Sequence, residues 1–318
     1  MAIESEQKIE PTDALTDVLK AIRLTAKTYF CSDFDSPWAM EMVQSNKCMF
    51  HVVVSGQCWV KTMQREALIC LGAGDIIAFP TGAEHWMGDA VDSQVAQGSK
   101  VVEGILTGHH PFQTADKVSN ESVLLMCGSF SYDSSFDHPF IKDLPDYIHI
   151  KSASSTPAWL GLLVEALSNE SRNPSPGSTV VVDRLSEVLF IQLMRAYVSE
   201  APDRMRYMSA LLDPQIGKAL NMIHAEEIAQ LTVKNLGESV ALSRTVFTER
   251  FAKLVGIPPK TYLINWRMQR AKVTLQSGKA TMISIAERAG YASEAAFGKA
   301  FKQFFNVTPG RIRREEEG

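Results

Sequence analysis

The amino-acid sequence predicts an α+β, two-domain protein: an N-terminal β-barrel with flanking helices, then an all-α domain built on a repeated helix pair. Three observations carry this expectation. The chain has 318 residues, more than one domain usually holds. Residues 28–150 are dominated by short β-branched runs separated by Gly, Ser or Asn. The stretch SRTVFTERF at Ser243 is echoed by SEAAFGKAF at Ser293, each keeping Phe four and eight residues after the Ser.

Composition bounds the possibilities. With 45% hydrophobic and 21% charged residues the chain reads as a soluble globular protein. It has no apolar run of the ~18 residues that a membrane span needs. The opening MAIESEQKIEPTD is acidic and unlike a secretory leader. Five cysteines without framework spacing fit a reducing compartment, so a cytoplasmic location is expected, with no membrane partner. The net charge of −4 hides an asymmetry. Residues 214–318 carry 16 Lys+Arg against 9 Asp+Glu, whereas residues 1–213 carry 16 against 27. A basic module on an acidic body points to a polyanionic partner at one end.

Taken in order, residues 12–25 place Leu15, Val18, Leu19 and Ile22 at helical spacing. The runs FHVVVSG, QCWVKTM, ALICL, DIIAFP, KVVEGILTG and SVLLMCGSF then predict an antiparallel sandwich or barrel. Helical patterns follow over about 157–169 and 179–198, split by SRNPSPGS, whose prolines and glycine force a loop. The domain boundaries expected from this are 1–200 for the barrel with its helical segments 157–198, 201–213 for a linker, and 214–318 for the all-α domain.

In the first copy of the repeat, Phe247, Phe251 and Leu254 form one buried stripe and leave Arg244, Thr245, Thr248, Glu249 and Lys253 outward. Ser243 is a candidate N-cap, Gly256 suits a left-handed helix end, and Pro258–Pro259 stops the helix. The second copy matches with Ser293, the stripe Phe297, Phe301 and Phe304, then Asn306 and Pro309. Each is preceded by a short helix, so the unit is a helix-turn-helix present twice. A helix over 258–276 between them would be about 28 Å long, close to the ~34 Å between major-groove faces on one side of a duplex.

These stretches, above all IAERAGYASEAAFGKAFKQFFNVTPGRIR, resemble the DNA-binding domain of AraC/XylS-type transcription regulators. Gly237 departs from the pattern, in which an Ala is usual. The resemblance implies recognition helices at 243–254 and 293–304. It assigns base-edge contacts to Arg244, Thr245, Thr248, Glu249, Glu294, Ala295 and Lys299, with Arg250, Lys253, Lys302 and Arg311 nearer phosphate. It also implies double-stranded promoter DNA as partner, a homodimer, and RNA polymerase where the protein is an activator.

In the front domain, GDIIAFPTGAEH from Gly74 to His85 resembles the second cupin motif, and CMFHVVVSGQCWV fits a cupin-type sensor. The earlier metal-ligating triplet is degraded, with Met49, Val43 and Ser45 at its positions and only His51 nearby. His51 and His85, joined by a cysteine, are candidate ligands for zinc or iron, against a hydrogen-bonded turn histidine. Cys31 and Cys127 stand where oxidant-responsive members of the group carry cysteines, which implies redox sensing, with a small ligand in the barrel as the alternative signal. Cys48, Cys58 and Cys70 read as buried filler, and His109, His110 and His138 as exposed loop residues. The resulting expectation is a non-enzymatic, sequence-specific transcription regulator whose barrel responds to an oxidant or small ligand. The alternative is a metal-dependent cupin enzyme of dioxygenase type with a helical appendage.

Overall fold

The computed structural model describes residues 13–22, 24–62, 68–113, 122–132, 138–152, 158–200, 206–225, 230–278 and 280–315. The chain divides into two compact units: one combines residues 1–23, 133–143 and 203–318, the other residues 24–132 and 144–202. The expected two-domain α+β architecture is present, with a different division from the linear one. The N-terminal helix and the 133–143 segment belong with the all-α unit.

Among the described residues the β unit holds two five-stranded sheets. One is ordered β1 (Thr25–Asp35), β9 (Ser122–Ser131), β3 (Cys48–Ser55), β6 (Ile76–Phe79) and β10 (Ile148–Ile150). The other runs β5 (Ile69–Gly72), β4 (Gln57–Thr62), β7 (His85–Gly88), β2 (Ala39–Met42) and β8 (Val95–Gln97). Pairing is antiparallel except between β2 and β8. The core between the sheets is filled by Phe34, Trp38, Met40, Val60, Phe79, Met87 and Leu125 among others. Helix α2 (Gly98–Leu106) buries Val101 in the same core, and α4 (Ala158–Arg172) and α5 (Ser178–Glu200) close the unit, with Phe190 against Phe130.

The all-α unit contains α1 (Ala14–Ala21), the short α3 (Pro139–Lys142) and the helices from α6 (Arg206–Leu212) onward. The stretch expected as a linker is therefore partly structured. Residues 201–205 lie outside the described residues, but α6 buries Tyr207 and Ala210. α7 (Pro214–His224) is capped by Asp213, whose side chain accepts from the backbone N–H groups of Gln215 and Ile216. The first helix pair is α8 (Val233–Ser239) and α9 (Arg244–Val255), and the second is α11 (Met282–Arg288) and α12 (Glu294–Phe305). Between them runs α10 (Pro259–Gln276), and α13 (Pro309–Glu315) ends the fold. The 18 residues of α10 give a rod about 27 Å long.

The caps read from sequence are in place. Ser243 and Ser293 accept from Val246 and Ala296 backbone N–H groups, and Gly256 (φ 87°) and Asn306 (φ 59°) end the two helices in the left-handed region. Gly237 is explained by packing rather than as a weak point. A Cβ there would lie 3.1 Å from the Leu242 carbonyl oxygen, because α8 and the turn meet closely at that residue. The turns are not identical: in the first, Leu242 N–H donates to Gly237 C=O and Ala241 carries the positive φ of 56°. In the second, Tyr291 N–H donates to Ala286 C=O and Gly290 carries it.

Candidate nucleic-acid interface and barrel-mouth cavity

Each capped helix of the repeat divides its side chains by face. On α9, Phe247 and Phe251 are fully buried and their rings meet at 5.6 Å; on α12, Phe297 and Phe301 repeat this at 5.4 Å. The apolar stripe fixes which residues face solvent. Arg244, Thr245, Glu249, Lys253, Glu294, Ala295, Lys299, Lys302 and Arg311 are exposed. Thr248 is half-buried, and its hydroxyl donates to the Arg244 carbonyl, one turn back.

Arg250 needs a correction of role. Its guanidinium lies 2.6 Å from the Asp213 carboxylate, tying α9 to the start of α7. Burial acts to raise the Asp213 pKa, but hydrogen bonds from Arg250 and the α7 backbone outweigh it and hold the carboxyl below its ordinary value. A phosphate would have to compete with that carboxylate. Sequence reasoning also passed over Val246, which is 47% exposed on the outer face of α9. An apolar side chain there suits contact with a thymine methyl; the signal was its place outside the Phe stripe.

In the β unit, His51 and His85 meet as a buried pair, Nε2 to Nε2 at 2.8 Å, while His51 Nδ1 lies 2.9 Å from Cys127 Sγ. The protons can be assigned from the far end. His85 Nδ1 lies 2.9 Å from the Ala83 carbonyl, which only accepts, so it carries the proton. His85 Nε2 then accepts from His51 Nε2–H, and His51 Nδ1 accepts from the Cys127 thiol. Burial keeps every member neutral. It lowers His51 well below its ordinary value and His85 to about 4, and pushes the Cys127 thiol well above its own. Phe79 stacks flat on the His85 ring at 3.6 Å.

This arrangement does not fit a metal centre of three ligands. The His51 ring stands between Cys127 and His85, so the three donors do not converge on one point. Among the described residues no group of three His, Cys, Asp or Glu is placed to hold an ion.

Cys31 and Cys127 lie on neighbouring strands, yet their register separates them. Cys127 pairs with Phe30 and points into the core, whereas Cys31 pairs with Met126 and points to the other face. There its sulfur lies 3.6 Å from Ser168 Oγ on α4. Burial raises the Cys31 pKa despite the Ser168 hydrogen bond and the Arg172 charge. A direct Cys31–Cys127 bond is therefore unavailable in this register.

Three other sequence expectations are corrected. Cys70 is exposed, because it sits on the outer face of the edge strand β5, while Cys48 and Cys58 are buried as expected. His138 is buried rather than exposed: its Nδ1 accepts from Phe140 N–H at 3.1 Å and its Nε2 meets Tyr262 Oη at 2.9 Å. His110 is half-buried, edge-on to Phe34.

Beside His85, at the mouth of the β unit, lies a cavity of about 280 Å³. Phe79, Thr62, Glu84, Asp146 and Tyr147 line it.

Comparison with known proteins gives two family matches in linear order along the chain. A family model described as Cupin matches residues 13–199, and one described as Helix-turn-helix domain matches residues 236–315. The HTH-type transcriptional regulator AlkR of Acinetobacter baylyi is 27% identical over 306 residues, covering 95% of this chain and 99% of that protein. An AraC-like transcription regulator of Streptomyces antibioticus is 25% identical over 303 residues, covering 95% and 98%. The RCS-specific HTH-type transcriptional activator RclR of Escherichia coli is 28% identical over 198 residues, covering 62% and 69%.

Proposed function

Because this chain belongs to the AraC-type transcription regulators with an N-terminal cupin domain, we propose that its cupin domain receives a cytoplasmic signal and thereby sets how two helix-turn-helix heads engage promoter DNA. The observation that carries the DNA side is the matched pair α9 and α12. Each buries two phenylalanines and turns a polar face outward, with a rod of about 27 Å between them. Arg244 and Lys299 read base edges, Lys253 and Lys302 supply charge to phosphates, and Glu249 and Glu294 select against the wrong base.

The functional unit is a homodimer. Trp159, Leu162, Val180, Val181 and Val188 form exposed apolar surface on α4 and α5, which a second copy would cover. Where the protein activates, RNA polymerase is the further partner.

Footprinting on promoter fragments tests the reading. Each subunit should protect two major-groove faces about one helical turn apart. Protection confined to a single groove per subunit contradicts it.

A second reading of the signal, oxidation of Cys31 and Cys127, is supported by the RCS-specific activator among the relatives. The geometry makes them separate thiols, one under α4 and one in the core. Cys31→Ser and Cys127→Ser should then abolish an oxidant-dependent change in the footprint independently of one another. Retention of that change in both variants removes this reading.

A further inference from the structure

We propose that His138 is a positioning residue for the first reading head: the turn His138–Asp143, carried by the connection between strands β9 and β10, holds α9 in the orientation in which it reads DNA. This rests on the DNA-reading function proposed above and adds the route by which the β unit reaches it. The chain's division is interleaved. Residues 133–143 belong to the compact unit of the helix pairs, whereas residues 24–132 and 144–202 form the other unit. Strand β9 ends at Ser131 and β10 starts at Ile148, and both lie in the same sheet. A connection between two strands of one sheet needs no anchor in another unit, yet this one has several.

Phe140 is fully buried, with its ring 6.2 Å from that of Tyr207. Asp143 accepts from the Tyr207 backbone N–H at 3.0 Å, and His138 Nε2 reaches the Tyr262 hydroxyl. Tyr207 stands on α6 and Tyr262 on the rod α10. The Tyr262 ring in turn meets Phe251 edge-on at 5.6 Å. Phe251 is one of the two buried phenylalanines that fix which way α9 faces. Two buried side chains, Tyr262 and Phe251, thus join His138 to α9, and a close-packed path of this kind carries displacement.

The second head is built differently. The apolar cluster around Phe297 and Phe301 draws only on residues from Met268 to Ile312 among the described residues. A shift of the turn therefore bears on the first head and leaves the second in place. Base readout tolerates little such shift, because hydrogen bonds weaken steeply away from their preferred distance and angle. A change of state that moves β9 or β10 moves the ends of the turn, and through it the first head alone.

The test is binding of the full chain to three promoter duplexes: intact, scrambled in the half read by the first head, and scrambled in the half read by the second. Arg244→Ala identifies the first half. In the wild-type chain either scramble should cost about tenfold or more. In His138→Leu the first scramble should cost less than about twofold while the second keeps its full cost. His138→Gln, which keeps an N–H donor near the place of Nε2, should restore the first preference. A merely destabilised chain would bind all three duplexes less and leave both ratios unchanged, which overturns the proposal. Hydrogen exchange on the wild-type chain is the second measurement, because coupling is reciprocal. Intact duplex should slow exchange over Phe140–Lys142 and alter it in β10. Protection confined to the helices of the two heads overturns the proposal and leaves the DNA reading standing. Equal binding of all three duplexes by the wild-type chain overturns both.

Discussion

His138 Nε2 lies 2.9 Å from the Tyr262 hydroxyl, although 124 residues separate the two in sequence. Tyr207 Oη at 2.8 Å and His224 Nε2 at 2.7 Å meet the same hydroxyl. All four side chains are buried, so α3, α6, α7 and the rod α10 are joined at one oxygen. Because the Phe140 backbone N–H occupies His138 Nδ1, His138 carries its proton on Nε2 and donates it to Tyr262.

Tyr262→Phe tests this junction. The change keeps the ring but strips three buried polar groups of their shared partner, each worth about 1–3 kcal/mol when left unmatched. Denaturant unfolding should show a loss of at least about 2 kcal/mol. A loss within about 0.5 kcal/mol, the range of an ordinary surface substitution, would show that the groups find water instead.

Acid should weaken the fold before most carboxylates titrate. Burial holds His85 down to about 4 and His138 down to about 3, against an ordinary value of 6.5. Above pH 6.5 each ring is neutral in both states and its contribution is complete. As pH falls below 6.5, the unfolded chain takes up protons that the folded one refuses. Stability then falls by up to about 1.4 kcal/mol per pH unit for each ring until its folded pKa is reached. Unfolding midpoints measured near pH 7 and near pH 5 should differ accordingly, and His138→Gln should flatten the slope.

Ala241→Gly should not destabilise the protein. Ala241 holds a φ of 56°, the left-handed region, where its counterpart in the second repeat is Gly290. Relieving a Cβ in that region is worth about 1 kcal/mol, partly offset by the greater freedom of Gly in the unfolded chain. Thermal melting should show no decrease, whereas Gly290→Ala should lower stability by about 1 kcal/mol.

Arg244→Ala and Lys302→Ala should separate reading from holding. Arg244 is exposed on α9 and Lys302 on α12. Loss of Arg244 should relax preference at one base pair by about 1–3 kcal/mol, and loss of Lys302 should weaken all sequences alike and lower the salt slope by about one charge. Binding titrations on specific and scrambled duplexes at several salt concentrations read both.

Thiol labelling of the native chain should proceed in the order of exposure. Cys70 is exposed, Cys31 is half-buried beneath α4, and Cys48, Cys58 and Cys127 are buried. Alkylation followed by peptide mapping should find Cys70 modified first and the buried three only on unfolding. Mild oxidation of the folded protein should yield no Cys31–Cys127 crosslink, because their side chains occupy opposite faces of the β1–β9 ladder. Finding that crosslink in native protein would show that the register shifts.

The sequence by itself determined the repeated heads. A Phe stripe at four-residue spacing, a Ser cap and a left-handed stop act within one or two turns, so Ser243, Phe247, Phe251 and Gly256 announce α9 without help from the rest of the chain. The exposed faces of α9 and α12 follow from the same periodicity, and the alternating β runs announce the barrel. Tertiary structure decided what depends on distant partners. His138 looked like a loop residue because nothing near it in sequence shows that Tyr262, on another helix, accepts its proton. Cys31 and Cys127, both expected to answer to oxidant, are turned to opposite faces by strand register, which the bulge between Thr28 and Phe30 resets. Cys70 looked buried because an edge strand and a central one share the same local composition. Local periodicity is written in neighbouring residues, whereas register, proton sharing and the division into units arise from contacts between segments far apart in the chain.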